Sequence, residues 1–354
     1  MIIYSKSNYL SPSAIESYET PIKMIIEHTC TALDKSDSIV KLLYNIEKSN
    51  RYGETILGSL GFDTFDIVSE GAAPETDTTC DGLSKFIEHI QFMKEFIISA
   101  DMMEDAKVGI ATSAKLRAEA FARAYYRTIN KICESALANG TETEMTYGDT
   151  NIDIRNIDNR PLFASEHRWG NADIGNSGNQ SNYFWGDIFK SGTEDNRTPS
   201  IEVFEEALTE LSIKLRNMRN ERGEATGYIA DTIILPGNRP IAEIMVKKVC
   251  GGIGAIPPNY NGISAHFGAW KVIVLPNWHT TDDRIMIMSS EANKELCGNM
   301  FFNRVPLTIT NWVDNHTGNY VWSGRCRFGV GFANYRHILL AVDSASAIAN
   351  ATEM

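Results

Sequence analysis

The sequence has no Lys or Arg between Tyr52 and Ser84. The same stretch contains seven acids, namely Glu54, Asp63, Asp66, Glu70, Glu75, Asp77 and Asp81. Glycines and a proline provide turns. Such a segment cannot bury itself. Its apolar residues need another surface, and a neighbouring copy of the chain would provide one.

Other features are also missing. The six cysteines are widely spaced and form no CxxC pair, and the N-terminus MIIYSKSNYL lacks the apolar core of a signal peptide, which favours reduced thiols and a cytoplasmic origin. No apolar run approaches the ~20 residues of a membrane span, so we expect no membrane association. The formal net charge of −12 argues against a protein that grips phosphate backbones, and leaves open an acidic wall along which nucleic acid slides without sticking.

A long helix is the strongest local prediction. The apolar residues between Ser113 and Asn139 recur three and four apart, with Ser113 as the N-cap and Gly140 as a left-handed terminator. The stripe consists of Leu116, Ala120, Phe121, Ala124, Ile129, Ile132, Cys133 and Ala136. A helix of about 25 residues is roughly 38 Å long, which indicates a spine against which other elements pack.

Two stretches alternate with the period of a strand. Before the spine, Phe86, Ile90, Phe92, Phe96 and Ile98 occupy the predicted buried face, opposite polar residues such as Lys85 and His89. Near the end, residues 319–332 predict a long one-sided strand, and residues 337–342 predict its hairpin partner.

The remaining chain predicts shorter elements. Thr20 before Pro21 is typical of a helix start, and residues 39–46 predict a second short helix. Residues 140–198 are rich in Asn and Gly and predict a long functional loop.

Residues 198–283 alternate between helix and strand. Thr198 and Pro199 open a predicted helix that Gly223 ends, followed by a strand at 232–235, a helix at 240–249 and a strand at 270–275. This alternation predicts a compact α/β subdomain.

Several short segments resemble those of Mu-like major head subunits. They are PLFASEHRWGN from Pro161 and YVWSGRCRFGVGFANYRHILLA from Tyr320, within a layout that also contains SEGAAPET and FIISADMMEDA. The chain thus resembles tailed-bacteriophage major capsid proteins of the Hong Kong 97-type, whose fold class is α+β. The resemblance implies an N-terminal arm at 1–50, an extended loop and following strand at 51–98, a peripheral domain with the spine helix at 99–198 and 284–354, and an axial domain at 199–283.

The resemblance also implies a function without catalysis or a cofactor. Copies in hexamers and pentamers would form an icosahedral head shell around phage DNA, bound without sequence specificity, with a portal and separate scaffolding or decoration proteins as partners. The virion would be assembled in the bacterial host cytoplasm and would expand when DNA is packaged. The loop lacks the Lys that some relatives crosslink to Asn, so we expect no such bond. Candidate intersubunit contacts are Phe62, Phe65, Ile67, Glu70, Glu75, Asp77, Arg325 and Arg327.

Alternatives remain at this point. An encapsulin-like nanocompartment has the same fold, and a soluble hydrolase would use His167 or Ser264, although neither residue lies in an established catalytic pattern. GGIG at Gly251 follows a predicted helix instead of a strand, which removes its value as a dinucleotide motif. Glu75, Asp77 and Asp81 lack the spacing of an EF-hand, so we expect no metal site. Arg325 and Arg327 are either neighbour contacts to Glu70 or Glu75 or ordinary surface arginines.

Overall fold

The computed structural model describes residues 12–35, 38–59, 65, 67–71, 73, 76, 81–99, 110–171, 176–191, 198–251 and 266–343. The helices are α1 (Pro12–Lys35), α2 (Ile39–Leu43), α3 (Ile110–Ala138), α4 (Ile201–Arg216), α5 (Pro240–Cys250) and α6 (Ser290–Glu295). The first strands are β1 (Asn45–Lys48), β2 (Gly53–Ser59), β3 (Asp81–Glu88), β4 (Ile90–Ile98), β5 (Glu144–Tyr147), β6 (Thr150–Asp153), β7 (His167–Asn171), β8 (Asn176–Gln180) and β9 (Tyr183–Gly186). The later strands are β10 (Lys190–Ser191), β11 (Thr198–Pro199), β12 (Thr232–Pro236), β13 (Lys271–Leu275), β14 (Arg284–Met288), β15 (Asn299–Val313), β16 (Tyr320–Phe332) and β17 (Ile338–Asp343).

The spine helix is present as α3, but its ends differ from the prediction. It begins at Ile110, so Ser113 lies within the first turn instead of capping it. Gly140 is not left-handed. It packs against Phe163, whose ring carbon would lie 2.7 Å from an added Cβ. Close packing, instead of backbone conformation, therefore accounts for this glycine.

Most of the predicted α3 stripe is buried. Phe121, Ile129, Ile132, Cys133 and Ala136 are buried. Leu116 and Ala120 are exposed, against the prediction. The reason is that the first half of the helix turns a different set of positions, including Ala118 and Ala122, towards α1 and the sheet beneath it.

A four-stranded sheet lies under α1 and α3, in the order β1-β15-β16-β4. The predicted apolar face of β16 is buried at Trp322, Cys326, Phe328, Val330 and Phe332. Val321 and Ser323 on the opposite face are buried as well, so the strand is not one-sided as predicted. Its partners are β15 and β4, both antiparallel. β15, the longest strand described, was not predicted.

A five-stranded sheet forms the second layer, in the order β13-β12-β14-β17-β9. The prediction that β17 forms a hairpin with β16 is wrong. β17 pairs antiparallel with β14 and parallel with β9. Because all six of its residues are buried, an uninterrupted apolar run is explained by a central position in a sheet with both faces covered. The division at residue 283 between axial and peripheral domains stays a prediction.

The helices and strands of the α/β part match their predicted positions closely. β12, α5 and β13 lie within a residue of the predicted ranges. However, Thr198 and Pro199 form strand β11, and Ser200 caps α4, its hydroxyl accepting a hydrogen bond from the Val203 amide. α4 ends at Arg216, well before Gly223.

Three predictions for the shorter elements were also wrong. α1 continues through Thr20 and Pro21, so no helix starts there. The short α2 ends at Leu43, and Ile46 belongs to β1. Residues 140–198 are not one loop, because the described part of this range contains short strands from β5 to β11, paired mostly as two-stranded ladders. No helix of the described part is long and apolar enough to cross a membrane.

Candidate assembly surface

Strands β2 and β3 form an antiparallel hairpin that carries the acidic segment at its far end. Three of its exposed side chains are large and apolar: Leu57 is 68%, Leu83 is 55% and Phe86 is 51% exposed. Beyond the strands, Phe65 and Ile67 are completely exposed. The hairpin therefore presents several large apolar side chains that no described part of the chain covers.

Three of the loop residues predicted to contact a neighbour are described, and all three are exposed. They are Phe65, Ile67 and Glu70. The other three, Phe62, Glu75 and Asp77, lie outside the described residues. Whether any of them contacts a second copy stays a prediction.

The base of the hairpin is anchored on the four-stranded sheet. Ile87 is buried and packs with Met300 and Phe302. It lies over Gly331 and Gly329: a Cβ on Gly331 would be 2.7 Å from Ile87 Cδ1, and a Cβ on Gly329 would be 2.7 Å from the Glu88 carbonyl oxygen. The two glycines are required because only bare backbone leaves room for the hairpin.

The predicted face of the strand is reversed in β3. Lys85, Ile87 and His89 are buried, whereas Phe86 is exposed. The predicted burial of the even-numbered residues holds only in β4, where Ile98 is buried. The chain leaves strand geometry at His89, so β3 and β4 are separate strands that pair with different partners. The apolar and polar residues alternate without interruption across His89, so the sequence pattern does not show that one strand ends there and another begins.

A buried lysine ties the hairpin to β6. Lys85 Nζ donates a hydrogen bond of 2.9 Å to Asp153 Oδ2, and Arg155 Nε donates to Asp153 Oδ1 at 3.0 Å. Burial alone would raise the pKa of the Asp153 carboxyl, but the hydrogen bonds from Arg155 and Lys85 outweigh it and lower the pKa to about 2. The direction in which the hairpin leaves the subunit is thus fixed by the apolar packing of Ile87 and by the charged contact of Lys85 with Asp153.

Arg325 and Arg327 share a strand face but differ in their surroundings. Arg327 Nε donates to the His89 carbonyl oxygen at 3.1 Å, and its guanidinium lies 5.2 Å from the centre of the Tyr52 ring. Arg327 therefore supports the base of its own hairpin. Arg325 is exposed, and its contact with a neighbour's Glu70 or Glu75 stays a prediction.

Further exposed apolar side chains lie towards the other end of the four-stranded sheet. Trp312 of β15 and Ile97 of β4 stand on either side of Val321 of β16. Trp312 is 45% and Ile97 is 51% exposed, whereas Val321 between them is buried. Met93, also exposed, is the register partner of Arg325. These side chains add exposed apolar area of the kind that binds proteins.

His167 has a structural role. Its ring is completely buried, with Nδ1 2.7 Å from Asp158 Oδ2 and Nε2 3.1 Å from Asn182 Oδ1. It stacks on Tyr335 at a centroid distance of 3.8 Å. A ring enclosed in this way has no access to a substrate.

The other residues considered for chemistry are only partly described. Ser264, and all of GGIG after its first glycine, lie outside the described residues, as do Glu75 and Asp77. Among the residues that the structure describes, no group of three or more His, Cys, Asp or Glu side chains could hold a metal ion.

No family model and no curated protein matches this sequence. Solved structures do. The capsid of an empty GTA particle has a TM-score of 0.52 and 13% identity, covering 88% of this chain and 91% of that chain. The capsid of a native GTA particle has a TM-score of 0.50 and 14% identity, covering 88% and 94%.

A cyanophage capsid is similar to the same extent. For Cyanophage P-SCSP1u the TM-score is 0.50 at 8% identity, covering 87% of this chain and 88% of that chain. At such identities the likeness concerns the fold and spans nearly the whole length of each chain. This polypeptide has the α+β fold of phage capsid subunits, the Hong Kong 97-type fold.

Proposed function

We propose that this chain is the major capsid protein of a tailed bacteriophage, and that many copies close into an icosahedral head shell around the phage DNA. The observation that carries the proposal is the β2–β3 hairpin. Its base is fixed to the subunit at Ile87 and Lys85, while Phe65 and Ile67 beyond it are fully exposed. Exposed apolar side chains on a rigidly directed hairpin suit a contact with a neighbouring copy.

The capsid fold of nearly the whole chain supports the same proposal. In the proposed shell, copies are arranged in hexamers and pentamers, and each hairpin lies over an adjacent subunit. The acidic residues of the loop, including Glu70, would face basic groups such as the exposed Arg325 of that neighbour. A portal, and separate scaffolding or decoration proteins, would complete the particle, assembled in the cytoplasm of the bacterial host.

The direct test is electron microscopy of the purified protein. Closed shells of uniform diameter are the expected result, and a monodisperse monomer that polymerises under no condition would overturn the proposal. The variant Phe65→Ser/Ile67→Ser is expected to remain as unassembled subunits. The matched control Ile229→Ser/Phe267→Ser removes two exposed apolar side chains of the same types from another surface and should still assemble.

The contents of the shell distinguish the head from an encapsulin-like compartment. Particles from infected cells are expected to contain DNA, whereas an enzyme as cargo would favour the compartment. Comparison of empty and filled shells tests expansion. We expect the hairpin and α3 to change their angle, and identical hairpin contacts in both states would contradict this part of the proposal.

A further inference from the structure

Helix α3 is basic, although the chain as a whole is acidic. The helix carries five basic residues and two acids, whereas the formal net charge of the chain is −12. The basic residues are Lys115, Arg117, Arg123, Arg127 and Lys131, and the acids are Glu119 and Glu134. Glu134 is buried and accepts hydrogen bonds from the backbone and side chain of Asn277, so it does not neutralise the helix surface.

Three of the basic residues form a row on the exposed face of α3. Arg123, Arg127 and Lys131 are four residues apart, and all three are exposed. This spacing places them on one side of the helix, over a length of about 12 Å. The opposite side of α3 is the buried one, with Phe121, Ile129 and Ile132. The row is therefore held on a rigid element and points away from the subunit.

The row is only weakly compensated. Glu119 lies 3.6 Å from Arg123 and 4.0 Å from Lys115, and such exposed pairs within a helix contribute little. Lys131 Nζ lies 5.9 Å from the centre of the Tyr147 ring. Arg127 forms no ion pair with any residue that the structure describes.

The described acids of the neighbouring helix form no ion pair with the row. α1 packs against α3, and the exposed acids among its described side chains are Glu27 and Asp34. Asp34 is engaged by the Tyr126 hydroxyl, on the side of α3 that faces α1. The uncovered face of α3 thus keeps a net positive charge.

Helix α3 and the base of the hairpin lie on opposite faces of the four-stranded sheet. α3 covers the face that contains Trp322, whereas Ile87 of the hairpin covers the face that contains Gly329 and Gly331. Residues of even and odd number on one strand point to opposite faces. The basic row is therefore on the other side of this sheet from the base of the hairpin.

We propose that the exposed face of α3, with Arg123, Arg127 and Lys131 at its centre, binds the phosphate backbone of the double-stranded DNA inside the shell. This inference rests on the proposed function, because it needs a shell with DNA on the α3 side. Duplex DNA carries one charge per about 1.7 Å of its axis, so a row of 12 Å faces about seven phosphate charges. Contacts of Arg and Lys with phosphate oxygens carry no information on the base sequence. The contact is thus weak, sequence-independent and sensitive to salt.

The test measures the affinity of unassembled full-length subunits for a short labelled DNA duplex by fluorescence anisotropy, at two salt concentrations. The variant is Arg123→Gln/Arg127→Gln/Lys131→Gln, which keeps good helix formers. With three phosphate contacts, wild-type affinity should fall about 40-fold more than that of the variant between 50 and 200 mM salt. The matched control Lys247→Gln/Lys248→Gln/Lys271→Gln removes three exposed lysines elsewhere and should behave as the wild type.

Wild-type binding by the triple variant, or an equal loss in the control, overturns the proposal. A triple variant that binds DNA normally but no longer assembles also overturns it, because the row would then contact protein. If the triple variant lacks the wild-type circular dichroism spectrum, Arg127→Gln alone is used, with an expected difference of about 3-fold over the same salt range. Electron microscopy of the wild type is read separately. Subunits that bind DNA through α3 but form no shell would contradict the proposed function and not the contact.

Discussion

The base and the far end of the β2–β3 hairpin both carry large apolar residues, but in opposite environments. At the base, Ile87 is 3% and Lys85 is 5% exposed. At the far end, Ile67 is 104% exposed. The base is therefore packed against the rest of the subunit, with apolar contacts and a paired charge, whereas the side chains at the far end face solvent. The base determines the direction of the hairpin, and the far end is what a second molecule would cover.

The largest effect on subunit stability should come from loss of the apolar packing of Ile87. Ile87→Ala removes buried methyl groups and leaves a cavity next to Met300 and Phe302, so we expect a loss of about 3 kcal/mol in the free energy of unfolding. The adjacent Phe86→Ala, on the exposed side of β3, should stay within about 0.5 kcal/mol. Urea unfolding of unassembled subunits measures both. Equal losses would contradict the assignment of the two faces.

The glycines beneath Ile87 provide a sharper version of the same test. Gly329→Ala should cost about 2 kcal/mol, because its Cβ would meet the carbonyl oxygen of Glu88, which is backbone and cannot rotate away. Gly331→Ala meets only the Ile87 side chain. We therefore expect its cost to shrink in an Ile87→Ala background, whereas the cost of Gly329→Ala should remain. If the costs of both glycine substitutions simply add to that of Ile87→Ala, Ile87 does not lie over Gly331 as described.

The charged contact should matter less and should depend on pH. Lys85→Met leaves Asp153 with Arg155 as its remaining basic partner, so we expect a loss of about 1.5 kcal/mol near neutral pH, reduced by the partial exposure of Asp153. The folded pKa of Asp153, about 2, lies below its ordinary value of 3.8. Its contribution is therefore complete above pH 3.8 and is lost as the pH falls through 2.

Chemical denaturation of the wild type and Lys85→Met at several pH values checks this prediction. The difference between their unfolding free energies should narrow as the pH falls from 3.8 towards 2. Lys94→Met, which changes an exposed lysine of β4, is the control and should show little loss at any pH. A difference that stays constant across this range would rule out Asp153 as the titrating partner.

The smallest effects should separate the two arginines. Arg327→Gln loses its hydrogen bond to the His89 carbonyl oxygen, and we expect a loss of about 1 kcal/mol. Arg325→Gln should leave subunit stability within about 0.5 kcal/mol. Thermal unfolding of subunits and the yield of shells are measured in parallel. A normal shell yield from Arg325→Gln would contradict the proposed contact between subunits.

Periodicity predicted the elements that lie against one surface. α3, α4 and β16 each show a single apolar face, and the structure buries most of it. It failed where a helix or strand changes its surroundings along its length. Leu116 is exposed because the first half of α3 packs in a different direction. Phe86 is exposed because β3 ends before His89 and has its own buried face, separate from that of β4. A regular pattern cannot reveal such changes.

The candidate surface was only partly predictable. The absence of bases between Tyr52 and Ser84 indicated an exposed acidic segment, and the described Phe65 and Ile67 are indeed exposed. The burial of Lys85 was not foreseen, because its partner Asp153 is distant in sequence. One sequence signal was available for the contact between the hairpin and β16. In RFGVGF two glycines alternate with large residues, which indicates a strand face that another backbone approaches closely.

The position of β17 has a consequence for the order of folding. This strand lies between β14 and β9, and it follows all the other described strands in the sequence. The larger sheet therefore stays in two separate parts until the ribosome has synthesised residues 338–343. Contacts between segments so far apart in sequence form slowly. Newly made chains thus complete this sheet only after residues 338–343 have been synthesised. In the proposed shell, a growing chain would be unable to join its neighbours before that point.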